Sequence, residues 1–185
     1  MREVIRYGLA AWAALAAAAS TAPPAAASVW QEASFPIEAF QGYTSPYGYR
    51  NAPNGASGGG GRDFHHGLDM AAPQGSYVRN WWAGRVVKVA ERPACGTMAI
   101  VRSGDWKHIY CHLQGSVEHD HNGAYYRTRG IRLRQGQTVP TGARIARVGT
   151  TGNTTGPHLH WGLKYQGQFV NPARVLRKME AAGAG

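Results

Sequence analysis

Short apolar or β-branched runs, each closed by Gly, Pro, Asn or Asp, make up most of this chain. Val86-Val87-Lys88-Val89 follows Gly84 and predicts a strand. Residues 98–102 and 107–113 flank the turn signal Ser103-Gly104-Asp105-Trp106 and predict a hairpin. Residues 144–148 and 158–164 predict two further strands. A helical pattern is confined to residues 172–181, where Pro172 suits the first helical position. Two stretches read as loops: 51–63, with the four-glycine run Gly58 to Gly61, and 115–130, polar and without an apolar period. Glycine occupies 25 of 185 positions, roughly twice the usual ~7%, which favours turns over helices. The pattern predicts a mainly β, strand-dominated single domain, and the length suits one core.

The first residues follow a different logic. Arg2 and Arg6 precede an apolar run over 7–19, then Pro23, Pro24 and Ala25-Ala26-Ala27. Basic, apolar, small is the order of a secretory signal peptide, with cleavage expected near Ala27–Ser28. The run is too short to span a bilayer, which needs ~20 residues, so no stable membrane insertion is expected once it is removed. The net charge is +10; Arg2, Glu3 and Arg6 carry +1 of it, leaving +9 on the remainder. Such a balance favours anionic partners. In an exported protein these are anionic envelope polymers, not nucleic acid. Export also places Cys95 and Cys111 in an oxidising compartment, where a disulfide between them is expected.

The chemistry is concentrated in three segments: Phe64-His65-His66-Gly67-Leu68-Asp69, Tyr110-Cys111-His112-Leu113, and Gly156-Pro157-His158-Leu159-His160-Trp161. On a strand, residues two apart share a face. His158 and His160 then project together, with Leu159 and Trp161 turned away. His65 and Asp69 share a face, and His66 points elsewhere. Tyr110 and His112 pair in the same manner, which makes Tyr110 a candidate proton donor. Catalytic zinc sites use three protein ligands and keep one position for water. His65, Asp69 and one of His158 or His160 can supply the three, leaving the other histidines as proton carriers. His108, His119 and His121 are read as structural or surface residues, with His119-Asp120-His121 a weaker second metal candidate. The His-Glu-x-x-His and Gly-x-Ser-x-Gly signatures, the P-loop and the dinucleotide fingerprint are all missing.

These motifs, in this order, resemble the lysostaphin-type family of peptidoglycan metalloendopeptidases. The resemblance opens at Thr44-Ser45-Pro46-Tyr47-Gly48-Tyr49-Arg50 and runs through Phe64 to Gly75, Ala83 to Val87 and Tyr110 to Leu113. It resumes at Gln135 to Val139 and ends with Gly149 to Trp161. It implies an antiparallel β-sheet with a loop-walled active-site cleft. It further implies one Zn2+ per chain held by His65, Asp69 and His160, with His112 and His158 as catalytic histidines. The division that follows is 1–27 signal peptide, 28–43 N-terminal extension, 44–174 metallopeptidase domain and 175–185 C-terminal tail.

The implied activity is hydrolysis of peptide crosslinks or bridges of bacterial peptidoglycan by a monomer, periplasmic or secreted. The alternative is a non-catalytic family member that binds the cell wall or activates another wall hydrolase. That alternative goes with lost metal ligands, whereas here all five positions are filled. A metallopeptidase acting on a glycine-rich protein is a further rival. The 115–130 stretch reads as an insertion close behind His112, either a wall of the cleft or an exposed hairpin. Residues 28–41 are too short for a long inhibitory segment, although they could still cover the cleft.

Overall fold

The structure is a computed structural model that describes residues 29–51 and 62–184. The signal-like start and the four-glycine run lie outside these residues. A 3-10 turn (Val29–Glu32) leads to β1 (Gly42–Ser45), β2 (Gly48–Asn51), β3 (Arg62–His65), β4 (Leu68–Ala71) and β5 (Tyr77–Arg79). Next in sequence are β6 (Gly84–Arg92), β7 (Gly96–Ser103) and β8 (Trp106–Cys111). After them come β9 (Ser116–Asp120), β10 (Gly123–Thr128), β11 (Ile131–Arg134), β12 (Thr138–Val139) and β13 (Arg144–Arg147). The chain closes with β14 (His158–Tyr165), β15 (Gln168–Val170) and helix α1 (Pro172–Ala181).

One antiparallel sheet dominates, in the order β1-β4-β14-β8-β7-β6-β12, with β15 paired to β14. The expected hairpin is β7–β8, closed by Gly104-Asp105, with Gly104 at φ 56 and Ser103 opposite Trp106. One sheet face is core. Leu159, Trp161 and Leu163 of β14, Tyr110 of β8, and Ala99 and Val101 of β7 are fully buried there. His158, His160, Cys111 and their register partners occupy the other face.

The core extends past the expected 44–174 bounds on both sides. Ala33 and Ile37 are buried in it, and Trp30 packs against Trp81, Trp82 and Trp106. Residues 29–41 therefore lie under the sheet and not over the cleft. At the other end Asn171 caps α1, accepting a hydrogen bond from Ala173 N at 3.0 Å, with Pro172 as first helical residue. Val175, Leu176 and Met179 bury the inner face of α1, and Trp81 Nε1 donates to Met179 Sδ at 3.0 Å. The terminal helix is thus part of the domain's core.

The 115–130 loop expectation is corrected. Strands β9, β10 and β11 form a three-stranded antiparallel sheet. Tyr126 and Leu133 enter the core, and the Tyr126 hydroxyl donates to Gln114 O at 2.6 Å. Asp120 bridges Arg132 and Arg134 at 2.8 and 2.7 Å. A sequence that looks polar is a set of cross-strand ion pairs over a thin aromatic underside.

His108 is fully buried, edge-on to Trp81 at 4.7 Å, and its Nε2 has no hydrogen-bond partner among the described residues. Burial pushes its pKa down to about 3. The ring is therefore neutral when folded but binds a proton below its ordinary value, ~6.5, when unfolded. Its contribution is complete above that value and drains away as the pH falls towards 3. Denaturant melts at several pH values should show His108→Gln with a stability slope shallower by up to about 1.4 kcal/mol per pH unit between pH 6 and 4. An unchanged slope would mean that His108 carries its charge in the folded state.

Candidate metal centre and catalytic cleft

The cleft has a volume of about 670 Å³ and is lined by His65, Asp69, His112, His158 and His160 together with the segments around Thr44, Cys95 and Thr154. None of its lining residues comes from 115–130. The inserted strands form an exposed sheet to one side.

Three strands bring the donors together. His65 ends β3, Asp69 lies in β4, and His160 sits opposite Asp69 on β14. His65 Nε2 is 2.9 Å from His160 Nδ1 and 3.1 Å from Asp69 Oδ1, and His160 Nδ1 is 2.8 Å from that same oxygen. His65 Nδ1 lies 2.8 Å from the Pro46 carbonyl, which can only accept, so Nδ1 donates there and Nε2 is the nitrogen turned to the other two donors. Gly67 makes room for this arrangement. A Cβ there would meet the His160 ring at 2.5 Å and Trp161 O at 3.0 Å.

Burial raises the Asp69 carboxyl's affinity for a proton, but hydrogen bonds from His160 and His65 outweigh it and hold the pKa well below the carboxylate range. Asp69 is therefore a carboxylate, with Oδ1 towards the imidazoles and Oδ2 3.4 Å from Arg50 Nη1. Arg50 is in turn fixed by donating to Ser45 Oγ at 2.6 Å. Burial lowers the His160 pKa, with Asp69 opposing the shift, which favours an unprotonated ligand.

The donor chemistry fits a zinc ion. Two imidazole nitrogens and a carboxylate oxygen form a triangle with edges of 2.8–3.1 Å. Tetrahedral zinc with bonds of about 2.0–2.1 Å needs edges only a few tenths of an ångström longer. Among the described residues this is the one group of His, Cys, Asp and Glu that could hold a metal ion. The weaker metal candidate His119-Asp120-His121 is not assembled. Asp120 is committed to arginines, and His121 Nε2 meets Asn122 Nδ2 at 2.8 Å.

His112 and His158 stand beside the triangle with their rings 4.7 Å apart. His112 Nδ1 faces Thr151 O at 2.8 Å, and His158 Nδ1 faces Gly156 O at 2.9 Å and Thr154 Oγ1 at 3.2 Å. Each backbone carbonyl can only accept, so each Nδ1 donates there and each Nε2 is the nitrogen left free for proton transfer. His158 Nε2 lies 3.8 Å from Asp69 Oδ1. Burial pushes the His112 pKa down to about 4 against the opposing pull of the Thr151 carbonyl, which keeps the ring neutral.

The expected face-sharing of Tyr110 and His112 does not hold. Strand β8 ends at Cys111, and His112 has φ 59, a left-handed conformation that swings its ring to the cleft side. Tyr110 is fully buried on the core side, where its hydroxyl accepts from Trp81 N at 2.9 Å. Tyr110 supports the core and does not serve the cleft. Residues not singled out from the sequence are Arg50, Thr151, Thr154 and the Pro46 carbonyl. All lie within the segments that carried the resemblance, but their roles depend on backbone oxygens and long reaches that spacing does not encode.

Residues 63–172 match Peptidase family M23, and the chain belongs to that family. Its fold, a mainly β domain on an antiparallel sheet, is that of M23 peptidase structures. The chain is 32% identical over 133 residues to a Neisseria meningitidis protein named DD-carboxypeptidase/endopeptidase Mpg, covering 71% of this chain and 26% of that protein. It is 31% identical over 158 residues to the murein hydrolase activator NlpD of Salmonella dublin, covering 85% of this chain and 36% of that protein. A crystal structure of a zinc-containing peptidase from Vibrio cholerae superposes with a TM-score of 0.60 at 28% identity, covering 74% of this chain and 37% of that one. The chain thus spans about a quarter to a third of the length of these curated relatives.

Proposed function

We propose that this chain is a zinc metalloendopeptidase that hydrolyses peptide crosslinks or bridges of bacterial peptidoglycan. We place it in the periplasm or outside the cell after loss of residues 1–27, working as a monomer. The observation that carries the reading is the convergence of five expected residues on one cleft, with three ring protons assigned by backbone carbonyls.

His65 Nε2, Asp69 Oδ1 and His160 Nδ1 would hold one zinc ion. Zinc bound there would polarise the scissile carbonyl and acidify an attacking water. The chain's own groups do the rest. Arg50 holds the outer carboxylate oxygen, so that Asp69 presents the other to the site. His112 or His158 takes the water's proton on Nε2, and the imidazolium so formed faces the charge growing on the scissile oxygen. It then returns the proton to the departing amine as the C–N bond breaks.

A second reading has one observation in its favour. The murein hydrolase activator aligns over 85% of this chain. An activator needs a docking surface but neither a metal triad nor two pinned bases, so the peptidase is preferred. Both readings are tested by one measurement on residues 28–185 with purified peptidoglycan, with and without chelator. The peptidase yields about one zinc per chain and chelator-sensitive release of new amino groups. A folded protein with zinc and no release from any crosslink type would transfer the reading to the activator.

A further inference from the structure

Four cations stand side by side across the main sheet. Arg85 of β6 lies opposite Arg102 of β7, Arg102 opposite Lys107 of β8, and Lys107 opposite Lys164 of β14. Directly opposed residues in antiparallel strands share a face with Cβ atoms about 4.5–5.5 Å apart, and like charges there are destabilising. Three such oppositions in succession are therefore a standing cost in the free protein.

The usual relief is missing. Arg50, Arg79, Arg132, Arg134 and Arg144 each meet a carboxylate. Among the described residues no carboxylate pairs with any member of the row. Arg102 Nε donates to Gly104 O at 3.1 Å, and Lys164 Nζ lies 4.2 Å over the Phe169 ring. The nearest acid along the chain is Asp105 in the β7–β8 turn, whose carboxylate accepts from Gln166 at 3.2 Å. Arg85, Arg102 and Lys107 are exposed and Lys164 is half-buried.

The face is the one that carries the cleft. Register places His160 opposite Cys111 and, four residues along the same two strands, Lys164 opposite Lys107. The row is thus about 13 Å from the metal centre along β14. It is narrow: of the neighbouring cross-strand row, Lys88, Ile100, Ile109 and Gly162, Lys88 alone is charged. At about 4.8 Å per strand it extends some 14 Å across the sheet.

We propose that this row is a docking rail for a linear polyanion, a polymer with a phosphate or carboxylate in each repeat, laid across the strands beside the cleft. A line of charges matches a chain of charges, whereas a plane of lipid headgroups calls for a broad patch. The rail is independent of hydrolysis and adds a wall-finding surface to the catalytic face.

The test uses long-chain inorganic polyphosphate as probe and the full mature protein. Arg102→Gln/Lys107→Gln is compared with Arg174→Gln/Arg177→Gln, which removes the same charge from the exposed side of α1. The row variant should bind about tenfold more weakly, with the slope of log affinity against log salt reduced by about two. The α1 variant should change by about twofold or less. Hydrolysis of a short soluble crosslinked peptide should be equal in all three. Equal weakening by the two variants would reduce the effect to net charge and overturn the rail, as would a wild type that does not bind polyphosphate. Tighter, row-dependent binding to phosphatidylglycerol vesicles than to polyphosphate would overturn it in favour of a lipid surface.

Discussion

His160→Ala is expected to lose bound zinc and hydrolysis together, while His112→Ala loses hydrolysis and keeps most of its metal. The two rings are 6.0 Å apart, yet their roles differ by geometry. His160 Nδ1 is within 2.9 Å of both other donors, so its removal leaves two ligands where three are required. The His112 ring directs its 2.8 Å bond to the Thr151 carbonyl and, among the described residues, makes none to the triad. A positioned acid–base group contributes typically 10²–10⁴-fold, and His112→Ala should lose a factor of about that size. Metal analysis of dialysed protein beside initial rates of amine release separates the two outcomes. Zinc lost from His112→Ala as completely as from His160→Ala would show that the roles have been divided wrongly.

Reducing the disulfide between Cys95 and Cys111 is expected to lower stability and activity at once. The bridge closes a loop with a sequence separation of 16, and the chain-entropy account assigns about 3 kcal/mol to a loop of that size. For a domain of this length that corresponds to a melting temperature lower by about 6–12 °C. The link to activity is direct. The Cys95 carbonyl accepts from His112 N at 2.8 Å, and Thr97 O accepts from Leu113 N at 3.0 Å, so the bridged segment holds the residue that leaves β8 in a left-handed turn. Thr151 Oγ1 donates to Leu113 O and accepts from Thr97 N, tying the same corner to the carbonyl that orients the His112 ring. Calorimetry and rates for Cys95→Ser/Cys111→Ser measure both effects. An unchanged melting temperature with full turnover would remove the disulfide from the mechanism. A lower melting temperature with full turnover would confine it to stability.

The cleft was legible wherever the strand period held without interruption. His158 and His160 share a face because β14 is regular across them, and its alternation also buries Leu159 and Trp161. The same parity failed at Tyr110 because one residue with positive φ, His112, reverses the count, and a histidine gives no sign of a left-handed backbone. The inserted sheet, from sequence either a cleft wall or an exposed hairpin, stayed undecided for a different reason. Its charged positions are partners of one another, so the apolar residues at Val117, Tyr125, Tyr126, Ile131 and Leu133 are too few to impose a period. Arg50 was missed because its role is to orient a carboxylate from another strand, and that reach is set by tertiary packing. The helix at the C-terminus was visible as a helix; that it seals the core below Trp81 was not.

The three donors of the metal centre are far apart along the chain: His65 and His160 are separated by 95 residues and Asp69 and His160 by 91. Loops of that length close at an entropic cost that is repaid only when the strands between them have paired. Strand β14, which carries the third donor, pairs with β4 on one side and β8 on the other. Until β14 has paired with β4, the chain offers His65 and Asp69 without His160. A zinc ion held by these three residues would therefore be gripped tightly only once β14 has paired with β4, and would act as a lock on that pairing instead of a nucleus for it.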